Sequence, residues 1–355
     1  MQTHEKKRAG LAYLDLFSGI GGFRVAIDQA AENADIKSHC LGYSEIDRYA
    51  LTTYHANFDT DGEMDLGDIA RLGSESDIRR RLPSFDILFA GFPCQPFSLM
   101  GLKKGFEDTR GTLFFHIAKI LAVKKPSFFI LENVRGLQTH DNGKTLRRIM
   151  SILSDELGYA TEYRLMNSLD FGVPQVRRRL YILGSRNKTV LSELRLKDIS
   201  WRKQPIYRTA WHLLEKETDE KYYLSKKILK TILAHGSGKY YSRSEINRLI
   251  ARPLTASMHK MHRANQDNYY SDDFIQGVFK NGVVLNGTTT KKGVRRITPL
   301  EAFRLQGFDD SFPKNARTNG VSDTQLYKQA GNAITVNVAQ SILGALFQNT
   351  RFLYG

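Results

Sequence analysis

The sequence predicts an α/β protein with a doubly wound, mostly parallel β-sheet and a second, smaller domain inserted late in the chain. In the first half, apolar runs typical of β-strands alternate with stretches of helical periodicity. This order indicates parallel strands joined by right-handed crossovers. After residue 184 the alternation stops, and a polar, basic segment follows until the helical period returns near Arg295. We therefore expect a first domain over 1–186, completed by 295–355, and a second over 187–294.

Each predicted strand of the first half leads into a predicted helix. The strand and helix pairs are LAYLDLF (11–17) with 22–32, SHCLGYSE (38–45) with a helix from 47, FDILFAG (85–91) with 113–123, and FFILEN (128–133) with 144–156. LYILG (180–184) is a further strand, and AITVNVAQSILGALF (333–347) is predicted to be a long amphipathic helix that packs on the first domain. In such sheets ligands bind at the carboxyl ends of the strands, so side chains that follow the strands are the site candidates.

Composition excludes several classes of protein. The chain of 355 residues is 41% hydrophobic, which suits a globular protein rather than a disordered or fibrous one. No apolar run reaches the roughly 18 residues of a membrane span, and the start MQTHEKKRAG lacks the apolar stretch of a secretory signal. Two cysteines do not suggest a disulfide framework. We expect a cytosolic protein with reduced thiols.

The net charge of +15 is concentrated in one segment. Residues 186–297 contain 23 Lys or Arg and 10 Asp or Glu, a surplus of 13, so the rest of the chain is nearly neutral. A local basic surplus is typical of a surface that binds a polyanion, because binding releases condensed counterions. The alternative is a solvated surface of an unrelated insert.

The first predicted strand runs into a glycine-rich turn, LDLFSGIGGF (14–23). Gly19, Gly21 and Gly22 would let the backbone approach a ligand at a helix N-terminus, although the spacing is not that of a dinucleotide fold and the turn is otherwise only a tight turn. Glu45 closes the second strand, where a carboxylate can accept hydrogen bonds from both hydroxyls of a ribose; its alternative is an ordinary exposed Glu. Asp68 and Ile69 could lie beside an adenine, but as isolated residues they prove nothing.

Cys94 is the strongest candidate for a nucleophile. It lies in AGFPCQPFS (90–98), directly after an apolar strand and between two prolines that stiffen the loop. A lone cysteine is usually a small buried hydrophobe, which is our interpretation of Cys40. A thiol between two prolines on a polar loop is poorly placed for core packing, and nearby cations or helix ends would lower its pKa.

Two further candidates follow later strands. Glu132 ends an apolar strand, where burial favours the protonated carboxyl that can donate a hydrogen bond or a proton to a ring nitrogen. In QVRRRLYILG (175–184), Arg177 and Arg179 share one face of an extended segment and could clamp Glu132 and a nucleotide. The alternatives are a Glu that reaches solvent and a solvated basic strand.

Six blocks of this sequence resemble, in order and spacing, those of the bacterial DNA cytosine-5 methyltransferases of restriction-modification systems. They are FSGIGGF, GFPCQPFS, ENV, QVRRR, RRITPLEAFRLQGF (295–308) and GNAITV (331–336), and the resemblance covers 11–186 and 295–345. It implies an S-adenosylmethionine-dependent methyltransferase fold and transfer of a methyl group to carbon 5 of cytosine, with no metal. GFEDTRGTLF (105–114) is similar to the family's mobile active-site loop.

The resemblance also implies roles for individual residues. The nucleophile falls on Cys94, the catalytic carboxylate on Glu132, and two catalytic arginines on Arg177 and Arg179. Cofactor contacts fall on Phe17, Gly19, Gly21, Gly22, Glu45, Ile46, Asp68, Ile69, Gly91, Pro93, Leu113, Asn332 and Ala333. DNA contacts fall on Gln95, Ser98 and Arg110 of the loop 95–114 and on Thr255 in the 187–294 target-recognition domain.

The expected partner is duplex DNA, from which the target cytosine must be flipped because the chemistry cannot occur inside a stacked duplex. We expect a monomer, associated with the nucleoid through DNA, and a cognate restriction endonuclease that acts on the same site without a stable complex. Two alternatives remain: a methyltransferase that modifies cytosine in tRNA, against which the long basic insert argues, and a DNA-binding protein without chemistry, against which the intact Cys94, Glu132 and arginine set argues.

Overall fold

A seven-stranded sheet organises the part of the chain that the computed structural model describes, residues 10–93, 113–200, 207–234, 236–237, 240–241, 245–263, 265–277, 293–349 and 352. Its strands are β1 Leu11–Leu16, β2 Ser38–Ser44, β3 Met64–Asp65, β4 Ile87–Gly91, β5 Phe128–Val134, β6 Ala160–Asn167 and β7 Arg178–Ser185. They lie in the order β3-β2-β1-β4-β5-β7-β6.

The prediction of a doubly wound, mostly parallel sheet is confirmed. The pairs β1–β2, β1–β4, β2–β3 and β4–β5 are parallel, whereas β7 runs antiparallel to both β5 and β6. The strands from β1 to β5 are connected through helices. In contrast, β6 is joined to β7 by the short segment 168–177, so the chain reverses direction and the two strands are antiparallel. The strand order reverses between β1 and β4, and a crevice opens at their carboxyl ends.

The predicted helices of the first half are present, each within a few residues of its predicted bounds. The helices are α1 Gly22–Asn33, α2 Arg48–His55, α3 Glu75–Arg81, α4 Leu113–Lys124, α5 Lys144–Ser151, α6 Lys188–Leu194, α7 Ala210–Leu213, α8 Lys226–Leu233, α9 Asp272–Ile275, α10 Pro299–Arg304, α11 Ser311–Thr318, α12 Asp323–Asn332 and α13 Val336–Phe347. A π-helical turn, Ile152–Glu156, extends α5 to the predicted end.

The two faces of the sheet bury separate apolar cores, because successive strand residues point to opposite faces. Tyr13, Phe89 and Ile130 face α1 and α13 within one cluster. The alternate residues, among them Leu14 and Leu131, belong to the second cluster with residues of α4 and α5. Burial of each large side chain contributes about 1.5–3 kcal/mol, so both helical layers are fixed by the strand pattern.

The C-terminal helix packs against α1, as the sequence predicts, but it begins at Val336 and not at Ala333. Helix α12 ends at Asn332, and Ala333 adopts an extended ψ of 147°. No single helix of the described residues is long and apolar enough to span a membrane; α12 and α13, bent by 41°, meet the length and composition criteria only as a pair.

Between α6 and α10 the described residues form short elements with a small apolar cluster of their own. Strands β8 Gly236–Ser237 and β9 Tyr240–Tyr241 pair with each other, as do β10 Tyr269–Ser271 and β11 Val294–Arg296. Leu224, Ile232, Ile246, Tyr269 and Val294 form this cluster. Ala251 of this segment forms a parallel β-bridge with Gln175, which lies shortly before β7.

Candidate active site

A cavity of about 560 Å³ lies at the carboxyl ends of β1, β2, β4 and β5, the position that the strand order predicts. It brings together residues from the glycine-rich turn, from the ends of three further strands and from the segment 328–334. The predicted cofactor residues that line it are Phe17, Gly19, Gly22, Glu45, Ile46, Asp68, Ile69, Gly91, Pro93, Leu113, Asn332 and Ala333. Of the predicted catalytic residues, Glu132, Arg177 and Arg179 line it as well.

Three glycines of the turn serve different purposes. Gly19 has φ +56°, and an added Cβ would meet no atom of the described residues within 4 Å. Gly21 has φ +85° and does not line the cavity; a Cβ there would lie 2.3 Å from the ring of Phe58. Gly22 is limited by packing, because its Cβ would lie 2.6 Å from Ile334. Only Gly19 therefore leaves free space beside the backbone.

Glu45 is held by backbone hydrogen bonds at the mouth of the crevice. Its Oε2 accepts the N–H of Gly19 at 2.9 Å, and its Oε1 accepts the N–H groups of Ile46 and Asp47, both at 2.7 Å. Three of roughly four acceptor positions of the carboxylate are occupied, so about one stays available to a ligand hydroxyl. The turn and the end of β2 are thereby fixed to each other.

Apolar and polar side chains flank this carboxylate. Ile46 is 76% exposed, whereas Ile69 is buried in the wall. The Oδ1 of Asp68 accepts the N–H of Ala70 at 2.9 Å and caps a short helical turn. Lys328 forms an ion pair with Asp47 at 2.6 Å, which ties α12 to the start of α2. The arrangement offers a planar ring an apolar contact on Ile46 and a polar group at its edge.

Glu132 ends β5 inside the cavity with only 8% of its surface exposed. Its Oε1 lies 3.2 Å from Nε of Arg179, and the two side chains come from neighbouring strands, β5 and β7. Burial raises the pKa of Glu132 above its ordinary value, although Arg179 and Arg177 oppose the rise. The carboxyl is thus oriented by a cation and biased toward the protonated state that donates hydrogen bonds.

Arg177 is fully buried, and its guanidinium connects three parts of the chain. Nη1 donates to the carbonyl of Leu254 at 2.9 Å, and Nη2 donates to those of Gly331 and Ala333 at 3.0 and 2.8 Å. Burial lowers the pKa of Arg177 to about 9, so the group stays charged at neutral pH. Whereas Arg179 forms the ion pair with Glu132, Arg177 uses its donors to hold the cavity wall.

Thr255 follows Leu254, whose carbonyl accepts a hydrogen bond from Arg177, and it does not line the cavity. A Cβ on Gly331 would lie 2.3 Å from the carbonyl carbon of Thr255, so the two backbones touch. The remaining predicted site residues, Cys94, Gln95, Ser98 and Arg110, lie outside the described residues.

The structure adds three residues that the sequence interpretation did not single out. Gln175 is buried, accepts the N–H of Leu254 at 2.9 Å and donates to the carbonyl of Leu305 at 2.7 Å. Asn133 donates from Nδ2 to the carbonyl of Phe92 at 2.9 Å and so fixes the turn before Cys94. Gly331 permits the contact with Thr255. All three lie inside quoted blocks, QVRRR, ENV and GNAITV, whose buried polar and glycine positions were the available signal.

Comparison with known proteins identifies the family of the chain. The family model for C-5 cytosine-specific DNA methylase matches residues 11–348. Among curated proteins, the chain is 40% identical to the Type II methyltransferase M.NlaX of Neisseria lactamica, covering 93% of this chain and 94% of that one. It is 35% identical to the Type II methyltransferase M.HpaII of Haemophilus parainfluenzae, covering 99% and 94%.

Solved structures show the same fold at low sequence identity. The methyltransferase EhMeth of Entamoeba histolytica superposes with a TM-score of 0.69 at 20% identity, over 96% of this chain and 98% of that one. The Dnmt2 methyltransferase of S. pombe gives 0.66 at 18%, over 95% and 98%. The predicted fold and family resemblance are confirmed: the chain belongs to the C-5 cytosine-specific DNA methylase family and is a DNA cytosine-5 methyltransferase.

Proposed function

We propose that the protein transfers a methyl group from S-adenosylmethionine to carbon 5 of a cytosine flipped out of duplex DNA, through a transient covalent adduct with Cys94. The observation that carries this proposal is the shared cavity: Glu132, paired with Arg179, faces the same 560 Å³ space as the glycine-rich turn and Glu45. One cavity can therefore hold a nucleoside cofactor at one end and a pyrimidine at the other.

The cofactor fits the residues at the β1 and β2 end of the cavity. When bound, S-adenosylmethionine supplies an electrophilic methyl group on a sulfonium. Glu45 has acceptor capacity for a ribose hydroxyl, while Ile46 and Ile69 offer apolar contact to the adenine. The open space at Gly19 admits the ligand next to the backbone. Phe17, Asp68, Gly91, Pro93, Leu113, Asn332 and Ala333 would complete the wall, and Gly21 would support the turn from behind.

The chemistry at cytosine follows from the groups at the β4 and β5 end. Carbon 5 is a weak nucleophile, so the Cys94 thiolate adds to carbon 6, a C–S bond forms, and electron density moves to carbon 5. Glu132, oriented by Arg179, donates to ring nitrogen N3 and stabilises the charge that develops there. The methyl group bound to carbon 5 would come from the sulfonium, leaving S-adenosylhomocysteine as the product. A base then removes the carbon 5 proton, the double bond between carbons 5 and 6 forms again, the bond between carbon 6 and the Cys94 sulfur breaks, and the thiolate leaves.

The DNA is proposed to lie across residues 187–294, a target-recognition domain whose 20 Lys or Arg against 10 Asp or Glu give a positive surplus that matches the phosphate backbone. Thr255 adjoins the cavity wall through Gly331, and Gln95, Ser98 and Arg110 would contact DNA from the loop that closes over the base. The similarity to Type II methyltransferases supports a role as the modification half of a restriction-modification system. We propose in addition that the protein acts as a monomer, alongside a separate endonuclease.

Methyl incorporation with matched cysteine variants tests the proposal. Wild type and Cys40→Ala should label duplex DNA from tritiated S-adenosylmethionine, whereas Cys94→Ala should not. Cys40 is a suitable control because burial raises the pKa of its thiol to about 12 and because its side chain, on β2, packs against an apolar core. A duplex with 5-fluorocytosine at the target should trap a covalent complex with wild type and with Cys40→Ala but not with Cys94→Ala, because fluorine cannot be removed from carbon 5 as a proton is.

The same assay separates the alternatives. Label in tRNA but not in duplex DNA would favour the tRNA enzyme, and tight DNA binding without label in any variant would favour the protein without chemistry. Bisulfite sequencing of DNA from cells that express the protein would identify the modified site. Equal labelling by Cys94→Ala and wild type would refute the covalent route.

A further inference from the structure

A loop in the basic segment is clamped at its base and begins at the wall of the cavity. We call residues 255–263 and 265–267 the clamped loop. Arg263 closes it: Nη2 donates to Oγ1 of Thr255 at 2.8 Å and to Oδ1 of Asp267 at 2.9 Å, and Nη1 donates to Oγ of Ser257 at 3.2 Å. The backbone N–H of Arg263 also donates to Oδ2 of Asp267 at 2.9 Å. Four hydrogen bonds thus hold the ends of the loop together.

The start of this loop is fixed to the residues that line the cavity. The carbonyl of Leu254 accepts a hydrogen bond from Arg177, and the backbone of Thr255 and Ala256 touches Gly331. Arg177 and Gly331 both line the cavity in which the target cytosine is proposed to lie. The clamped loop therefore starts at the edge of the base-binding space, and DNA that delivers a base to that space must pass near it.

The two methionines of the loop differ in exposure. Met258 is 8% exposed and packs into the protein, where it anchors the loop. Met261, three residues later, is 61% exposed. Lys260 and Gln266 beside it are exposed as well, and Arg296 contacts the ring of His262 at 2.8 Å. An unbranched, polarisable side chain thus stands out from a surface suited to DNA.

We propose that Met261 enters the base stack of the DNA and occupies the space that the flipped cytosine leaves. This inference rests on the proposed function. Flipping costs a few kcal/mol in lost stacking and pairing, and apolar side chains inserted between bases offset part of such a cost. Met is suited to this because its flexible thioether fits irregular apolar gaps. The clamp at Arg263 holds the backbone of the loop in place, so little backbone entropy is lost when the side chain inserts.

Single-turnover methylation of two duplexes tests this role. In the first the target cytosine pairs with guanine; in the second it faces an abasic site, which lowers the cost of flipping. We expect Met261→Ala to methylate the paired duplex roughly tenfold more slowly than wild type, as loss of about 1.4 kcal/mol would produce. On the abasic duplex we expect the difference to fall below about twofold. Leu249→Ala, which truncates a 43% exposed side chain of the same segment, should match wild type on both.

The outcomes are distinguishable. Equal rates for Met261→Ala and wild type on the paired duplex would overturn the inference, and so would a defect of the same size on both duplexes, since Met261 would then act after flipping or in binding. Met261→Leu, which keeps an apolar side chain of similar volume, should retain most of the wild-type rate. If wild type labels neither duplex, the proposed function itself fails. Melting temperatures should agree among the variants, because Met261 is exposed.

Discussion

Replacement of Glu132 by glutamine is the sharpest test of the site, because the structure predicts a small effect on folding and a large one on rate. Glutamine keeps the shape of the side chain and a carbonyl oxygen in the place of the carboxylate oxygen that lies 3.2 Å from Nε of Arg179. It can also donate a hydrogen bond to the cytosine ring, but it cannot transfer a proton.

The cost to folding is limited by two features of the site. Removal of one partner of a buried ion pair costs about 3–5 kcal/mol when the other charge is left isolated. Here the amide oxygen still faces Nε of Arg179, burial already opposes the ionised carboxyl, and Arg177 keeps its three carbonyl partners. We therefore expect Glu132→Gln to lower the free energy of unfolding by only about 1–2 kcal/mol. Such a variant remains almost entirely folded.

The effect on rate should be far larger. Proton donation by a positioned group contributes about 10²–10⁴-fold, so kcat/KM should fall by at least about 100-fold, equivalent to about 2.7 kcal/mol in the barrier. Because the pKa of Glu132 lies above its ordinary value, its protonated form persists to higher pH, and wild-type kcat/KM should decline as pH rises through that pKa. The Glu132→Gln variant should lack this decline.

The assay is single-turnover transfer of tritiated methyl groups, measured from about pH 5 to pH 9 with urea unfolding of the same preparations. The control is Glu156→Gln, which removes the carboxylate of an ion pair with Arg148 outside the cavity and should leave the rate unchanged. A Glu132→Gln variant with more than a third of the wild-type rate, or with the same pH decline, would refute the assigned role.

Three further predictions concern the fold around the site. Burial raises the pKa of Asp15 to about 8. The carboxyl must therefore ionise inside the protein as the pH rises, and the free energy of unfolding of wild type should fall by up to about 6 kcal/mol between about pH 4 and pH 8. Asp15→Asn should abolish this dependence of the unfolding free energy on pH, measured by urea titration. Gly19→Ala should cost only about 1 kcal/mol in stability yet weaken cofactor binding in calorimetry, whereas Gly21→Ala should cost more than about 3 kcal/mol; equal stability of the two variants would contradict this. Glu301→Gln should cost about 3–5 kcal/mol in urea unfolding because it removes the carboxylate that accepts hydrogen bonds from both Nη atoms of the fully buried Arg295, and a loss below about 1 kcal/mol would contradict the pairing.

The sequence predicts the sheet and the placement of its polar side chains well, because both follow from local patterns. Apolar runs and helical periodicity locate β1, β2, β4 and β5, and chain polarity then brings their carboxyl ends to one edge. Glu45 and Glu132 meet the same cavity for that reason. The antiparallel direction of β7 was not predicted, since it depends on the short connection from β6 and not on the strand's own residues.

Partners that are distant in sequence could not be predicted from pattern. Alternation places Arg177 and Arg179 on one face, but it does not say that Arg179 reaches Glu132 while Arg177 binds carbonyls of Leu254, Gly331 and Ala333. The glycines show the same limit. The sequence of a glycine-rich turn does not distinguish the roles of its glycines. Only the structure shows that Gly21 packs against the ring of Phe58 and does not line the cavity.

The hydrogen bonds of Arg177 explain why the cavity includes residues from the far end of the chain. The guanidinium is buried, so each carbonyl that it contacts must be present, or a charged donor is left unsatisfied at a cost of more than about 1 kcal/mol. One carbonyl belongs to the basic segment and two belong to the turn between α12 and α13. The segment 251–255 and the turn 331–333 are thereby fixed to the same side chain. The segment that we propose to lie near the DNA and the turn that we propose to contact the cofactor are consequently fixed by one buried side chain, so a substitution of Arg177 should disturb both.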